Sequence, residues 1–205
     1  MRFVLLGDSH SSGAGSPGGL LAKLLRRRGH TVTVNAKGGR SAASFLRTED
    51  GAEVMVELAD DHPDVVLVFL GTNDIGRGVK ATRAAMEVIR KSFSSSVVAI
   101  GPPYWPEGTD GERLNAGALD VFALEREVFT SAIDSITLTR DIGVDGRAKT
   151  ATGSVGIHFN AKGAATWAKR LYLAILPAKR RPLWMTFLGV GVGLLTLRWL
   201  WRSER

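Results

Sequence analysis

Apolar positions along the chain follow two rhythms. Short unbroken runs at residues 2–6, 65–70 and 97–100, with the β-branched run 31–35 and the run 135–139, read as strands, most of them buried on both faces. Between them, apolar residues recur at helical spacing. Leu20, Leu21, Leu24 and Leu25 form one face of a predicted helix over 20–28 that Gly29 ends. Similar periodicity predicts helices over 52–59, 81–91, 113–131 and 161–176. Hydrophobic strands alternating with helices imply an α/β fold, a three-layer sandwich with a central parallel sheet covered on both faces. In such a sheet the ligand site lies beyond the carboxyl ends of the strands.

A different pattern begins at Pro177. Residues 177–182 are a basic linker containing Lys179, Arg180 and Arg181, and residues 202–205 are a short basic tail. Between them, residues 183–201 carry a single charge, Arg198. As a helix this run is roughly 28 Å long, close to a hydrocarbon core of about 30 Å. Trp184 near one end and Trp199 and Trp201 near the other sit where interfacial aromatics belong. The run reads as a transmembrane or interfacial helix, with a helix buried against protein as the alternative. Residues 1–6 reach Gly7 and Asp8 too soon for a signal peptide, so the expected arrangement is a tail-anchored, membrane-associated domain of residues 1–176.

Composition narrows the function. Hydrophobic residues are 44% and charged residues 23%, which excludes global disorder. No cysteine is present, which removes disulfides, thiolate metal sites and cysteine nucleophiles together. The net charge of +7 first suggests nucleic acid. Before Pro177, however, 21 Lys and Arg face 19 Asp and Glu, and from Pro177 onward six face one. The basicity belongs mainly to the terminal segment, and no nucleic-acid partner is expected. Neither a phosphate-loop pattern nor a metal-ligand cluster is seen, so no cofactor and no metal are expected.

Four polar motifs fall at predicted carboxyl edges or helix starts: Gly7-Asp8-Ser9-His10, Asn35 through Ser41 with Gly38-Gly39-Arg40 inside it, Gly71-Thr72-Asn73-Asp74, and Gly156-Ile157-His158-Phe159-Asn160. A serine needs a base within reach to become a nucleophile, and an acyl-transfer oxyanion needs preorganised donors. In order and spacing the motifs resemble those of the SGNH hydrolases, the GDSL esterase and lipase superfamily, over residues 2–176. The resemblance implies a flavodoxin-like SGNH fold, with Ser9 as nucleophile, His158 as general base, and an oxyanion hole from the amides of Ser9 and Gly39 and the side chain of Asn73. Gly38 competes with Gly39 for that assignment. The stretch Gly39-Arg40-Ser41-Ala42 is similar to that of carbohydrate acetylesterases of the superfamily.

One element of the family pattern is missing. The aspartate three residues before the histidine is here Val155. Three accounts are open: a Ser-His dyad, an acid recruited from upstream at Asp141 or Asp145, or a domain that has lost activity. Asp8 and Asp74 read as structural, and His10 as a substrate contact or a packed neighbour of Ser9. Arg40, Tyr104 and Trp105 are candidates to bind substrate, the last two by stacking on a sugar ring or covering an acyl chain.

The leading expectation is a serine esterase acting on small acyl groups of carbohydrate or cell-envelope glycan. A lipid esterase, lysophospholipase or thioesterase is the second. The third is a weak or inactive domain serving as a membrane-bound subunit, with oligomers or a larger assembly as its setting.

Overall fold

Five parallel strands run through the centre of the computed structural model, which describes residues 1–176 except Thr48. They are β1 (Arg2–Gly7), β2 (Thr31–Ala36), β3 (Val65–Phe69), β4 (Ser96–Ile100) and β5 (Ser131–Ile133), in the order β2-β1-β3-β4-β5. The chain moves outward from β1 to β2 and then crosses to β3 on the other side of β1. That reversal opens a crevice at the carboxyl ends of β1 and β3, where a parallel sheet offers a ligand site.

The alternation of each strand sorts its side chains onto two faces. Val4, Leu6, Val66, Val68, Val97 and Ala99 pack with residues of α2 (Ala42–Arg47), α3 (Glu49–Asp60), α4 (Val79–Ser92) and α5 (Asn115–Val128). Phe3, Leu5, Leu67 and Phe69, of the opposite parity, are equally buried. Their cover is α1 (Pro17–Arg27) and α7 (Ala161–Ile175), whose Trp167 ring lies 6.1 Å from that of Phe69. Both sides of β1 and β3 are thus dry, which explains their unbroken apolar runs. Each such side chain contributes about 1.5–3 kcal/mol by burial.

Local signals fix the helix starts. The Ser16 hydroxyl accepts the Gly19 amide at 3.1 Å, and Pro17 occupies the first turn of α1. At α2, Ser41 and Ser44 cap reciprocally, each hydroxyl accepting the other's amide at 2.9–3.0 Å. The turn Lys37–Arg40 before it closes with an Arg40 amide to Lys37 carbonyl bond of 3.3 Å. Gly39 there has φ +75°, a conformation that glycine adopts without strain.

Three expectations need correction. Residues 135–139 form a helix, α6 (Ser135–Thr139), because the Asp134 carboxylate accepts the Thr137 amide at 3.0 Å and starts a turn; the strand lies just before it, at β5. The helix expected over 113–131 is shorter, ending as α5 at Val128. The segment after α6, for which the periodicity predicts no element, forms the antiparallel pair β6 (Arg147–Lys149) and β7 (Val155–Phe159), apart from the main sheet. Met1–Ala174 forms one unit. No helix among the described residues is long and apolar enough to cross a membrane, and the segment 183–201 lies outside the described residues.

Candidate active site

Ser9 follows β1 in a tight turn where the Asp8 carbonyl accepts the amides of Ser11 and Ser12 at 3.1 and 3.0 Å. The Asp8 carboxylate accepts the His10 amide at 2.8 Å. This turn lifts Ser9 out of the buried strand toward the crevice. Across it, His158 projects from β7, and its Nε2 lies 3.0 Å from Ser9 Oγ. Residues 149 positions apart thus meet at hydrogen-bond distance, as the motif order required.

Asn73 sits in the short turn Thr72–Asp74 beyond β3. Its Nδ2 donates to the Arg40 carbonyl at 3.0 Å and reaches Asp8 Oδ2 at 3.4 Å. One amide therefore ties together the loops after β1, β2 and β3. Asp74 is turned the other way, accepting the amides of Ala42 and Ala43 at the start of α2 at 2.9 and 3.5 Å. Carboxylates are favoured at a helix start, so Asp74 is structural. Burial raises both carboxyls, with Asp8 pushed up to about 7 and the nearby Asp74 adding to its rise.

His158 rests on a different kind of support. Among the described residues no carboxylate bonds its second ring nitrogen. Val155 occupies the place three residues earlier. Asp141 is taken up by Arg170, with oxygens at 2.5 and 2.8 Å, and Asp145 is exposed with no bond to the histidine. Neither recruited acid expected from the sequence reaches the site. What holds the ring is the β6–β7 pair. Arg147, buried, donates to the Ile157 carbonyl at 2.7 Å and to the Tyr104 carbonyl, with its guanidinium 3.7 Å over the Phe159 ring. Burial and the Arg147 charge lower the His158 pKa. Asn160 braces the end of β7, donating to the carbonyls of Asp145 and Arg147 and accepting the Gly163 amide that opens α7.

Trp105 is a correction. It is fully buried, and its indole donates to the Ile157 carbonyl at 3.1 Å, so it props the histidine strand instead of meeting substrate. Tyr104 is half-buried beneath the Arg140 guanidinium, 5.5 Å from its ring. Arg40 turns its guanidinium inward to Asn35 Oδ1 at 2.6 Å and over the Phe45 ring at 4.6 Å. It still lines a cavity of about 230 Å³ that opens beside Gly39 and is shared with Lys37, Ser44 and Val54. His10 is buried with Phe159 and Trp167 around its ring, and burial drives it down to about 3, so it packs as a neutral ring behind His158. Arg147 was not legible beforehand, since no local pattern marks a buried arginine whose partners are carbonyls ten and forty-three residues away, and Asn160 stood in the fourth motif without an assigned role.

Residues 5–166 match the GDSL-like lipase/acylhydrolase family. Among solved structures, a Slackia heliotrinireducens protein assigned to the SGNH hydrolases superposes with a TM-score of 0.66 at 22% identity, covering 86% of this chain and 99% of that one. The acetyl xylan esterase AlAXEase gives 0.60 at 18%, over 86% and 100% of the two chains. The acetyl xylan esterase Axe2 from Geobacillus stearothermophilus, in a W215I variant, gives 0.60 at 14%, over 84% and 93%. Among curated proteins no sequence relative is significantly similar.

Proposed function

Because the chain belongs to the GDSL-like lipase/acylhydrolase family and is a hydrolase of ester bonds, we propose that it removes small, acetyl-like acyl groups from carbohydrate or cell-envelope glycan by a Ser9–His158 mechanism. The observation that carries this reading is the 3.0 Å contact between Ser9 Oγ and His158 Nε2. His158 takes the Ser9 proton as Oγ bonds to the acyl carbon. The oxyanion so formed is held by the amides of Ser9 and Gly39 and by Asn73 Nδ2, which exchanges its long 3.4 Å contact with Asp8 for the oxyanion. The imidazolium then protonates the leaving alcohol, and a water, deprotonated by the same histidine, releases the acid from Ser9. Gly39 is favoured over Gly38 for the oxyanion amide because it takes the positive φ at the turn's third position.

A small acyl group on a sugar is supported by the structurally similar proteins, two of which are acetyl xylan esterases. The test compares p-nitrophenyl acetate with long-chain p-nitrophenyl esters and adds a fluorophosphonate probe. Acetate turnover and labelling, both abolished by Ser9→Ala, are the expected result; preference for long chains would overturn the acetyl reading.

A second reading, a domain of weak activity acting as a membrane-bound subunit, is favoured by the absent carboxylate at Val155. Failure of both turnover and labelling in the folded wild type would favour it over the esterase reading. Membrane attachment through residues 183–201 is proposed from their apolar run, flanking tryptophans and basic borders.

A further inference from the structure

Charge is distributed unevenly between the two sides of the sheet. Residues 9–48 hold seven Lys and Arg and residues 146–176 hold five, and neither stretch contains an Asp or Glu. The intervening 49–145 hold eight Lys and Arg against eighteen acids. Helices α1 and α7 come from the two acid-free stretches, and α3, α4 and α5 from the acidic one. Because α1 and α7 share one side of the sheet, the sequence bias becomes a spatial one.

Where α1 and α7 adjoin they leave a groove of about 520 Å³. Its apolar surface includes Leu20, Leu24 and Leu173, the last 53% exposed. Around it stand Lys23, Arg27, Arg28 and Lys169. Arg170 is excluded from this rim because Asp141 takes it up. An apolar strip rimmed by cations and free of acids is the pattern of a surface that meets anionic lipid.

We infer that the α1–α7 face docks on an anionic phospholipid bilayer, with Leu20, Leu24 and Leu173 entering the headgroup boundary and the four cations facing lipid phosphates. Charge decides against the other occupants. Residues 177–205 carry six basic residues and one acid, so their own charge repels the rim. A second copy would oppose two identical cationic rims. Nucleic acid would satisfy the rim and leave the apolar strip unmatched.

Both helices start at the catalytic edge, α1 soon after Ser9 and α7 three residues after His158, and the groove runs along them. The docking itself rests neither on the esterase reading nor on residues 183–201 crossing the bilayer.

The chain has no cysteine, so single-site labelling is direct. Leu24→Cys, Leu173→Cys and, as control, Leu119→Cys on α5 each receive an environment-sensitive fluorophore in the full chain. Each is mixed with phosphatidylcholine vesicles containing or lacking phosphatidylglycerol and a lipid-borne quencher. The inference expects a blue shift and quenching at positions 24 and 173, absent at 119, dependent on phosphatidylglycerol and diminished by salt. Combining Lys23→Glu, Arg27→Glu, Arg28→Glu and Lys169→Glu should abolish that contrast while circular dichroism and the melting temperature hold, which separates lost docking from lost folding. Equal signals at all three positions, or none while the chain stays vesicle-bound, would overturn the docking face. A groove signal without vesicles would assign it to a second copy if it grows with protein concentration, and to residues 183–201 if it does not. An equal shift with duplex DNA would likewise overturn it.

Discussion

The two halves of the site are built on different principles. The half proposed to face the developing oxyanion is fixed by direct hydrogen bonds: Asn73 to Arg40 and Asp8, Asp8 to the His10 amide, and Asp74 to the start of α2. The half that carries the base is fixed at one remove. His158 makes a single side-chain hydrogen bond, to Ser9, and its strand is held by Arg147, Trp105 and Asn160 acting on carbonyls and amides. The Asn73 amide is therefore held atom by atom, while the orientation of the imidazole is left to packing. A histidine without a carboxylate partner gains nothing toward its charged form, and here burial first and Arg147 second oppose that form.

The comparison is broken most severely by removing the base itself. His158→Ala should lower kcat on p-nitrophenyl acetate by about 10⁴-fold or more. An equal rate would mean that His158 does not take the Ser9 proton. On the other half, Asn73→Ala should cost about 10²–10³ in kcat with little change in KM. A rise in KM alone would move Asn73 from the oxyanion to ground-state binding.

Restoring a direct partner sharpens the contrast. Val155→Asp should raise kcat/KM by about tenfold if its carboxylate reaches the ring, since it would orient the imidazole and stabilise the imidazolium. The pH profile supplies the sign. His158 must be neutral to accept a proton, and its pKa lies below the ordinary 6.5, so wild-type kcat/KM should rise with pH through a midpoint below that value. A new carboxylate favours the charged form, so the midpoint in Val155→Asp should move upward. A midpoint unmoved in that variant would show that the side chain does not meet the ring.

The smallest effect lies beneath the oxyanion half. Glu125 is fully buried, its oxygens have no hydrogen-bond partner among the described residues, and burial, then Asp74 and Asp8, raise its pKa well above 4.5. A carboxyl raised in the folded state stabilises the fold below its unfolded pKa and withdraws that stability as pH rises through the folded value. Glu125→Gln should leave kcat at neutral pH unchanged and flatten the fall of the melting temperature toward alkaline pH. A fall as steep as in wild type would assign the alkaline loss to other groups.

Much of this was legible in the sequence, for identifiable reasons. The runs at β1 and β3 lie between two helical layers, and a strand dry on both faces has no other pattern. Ser9, Asn73 and His158 were found through motif order, which holds because each sits at a strand end or helix start. Residues 135–139 were misread because Ile136 and Leu138 alternate as in a strand, whereas the Asp134 cap turns the backbone into a helix. The β6–β7 pair was invisible because it is short and irregular in register, with Thr and Gly residues between its strands. Trp105 looked like a surface aromatic in a proline-rich loop; its role depends on the Ile157 carbonyl, fifty-two residues away.

That pair carries one more consequence. Because β7 hydrogen-bonds to β6 and not to the five-stranded sheet, its opening breaks none of that sheet's ladder hydrogen bonds. Such a segment can unfold by itself at a free energy well below that of the whole domain. The cooperative unit that keeps the protein folded and the unit that keeps it competent are then different ones. Heat or denaturant would silence His158 while the sheet still stands, and activity would fade before the circular dichroism does.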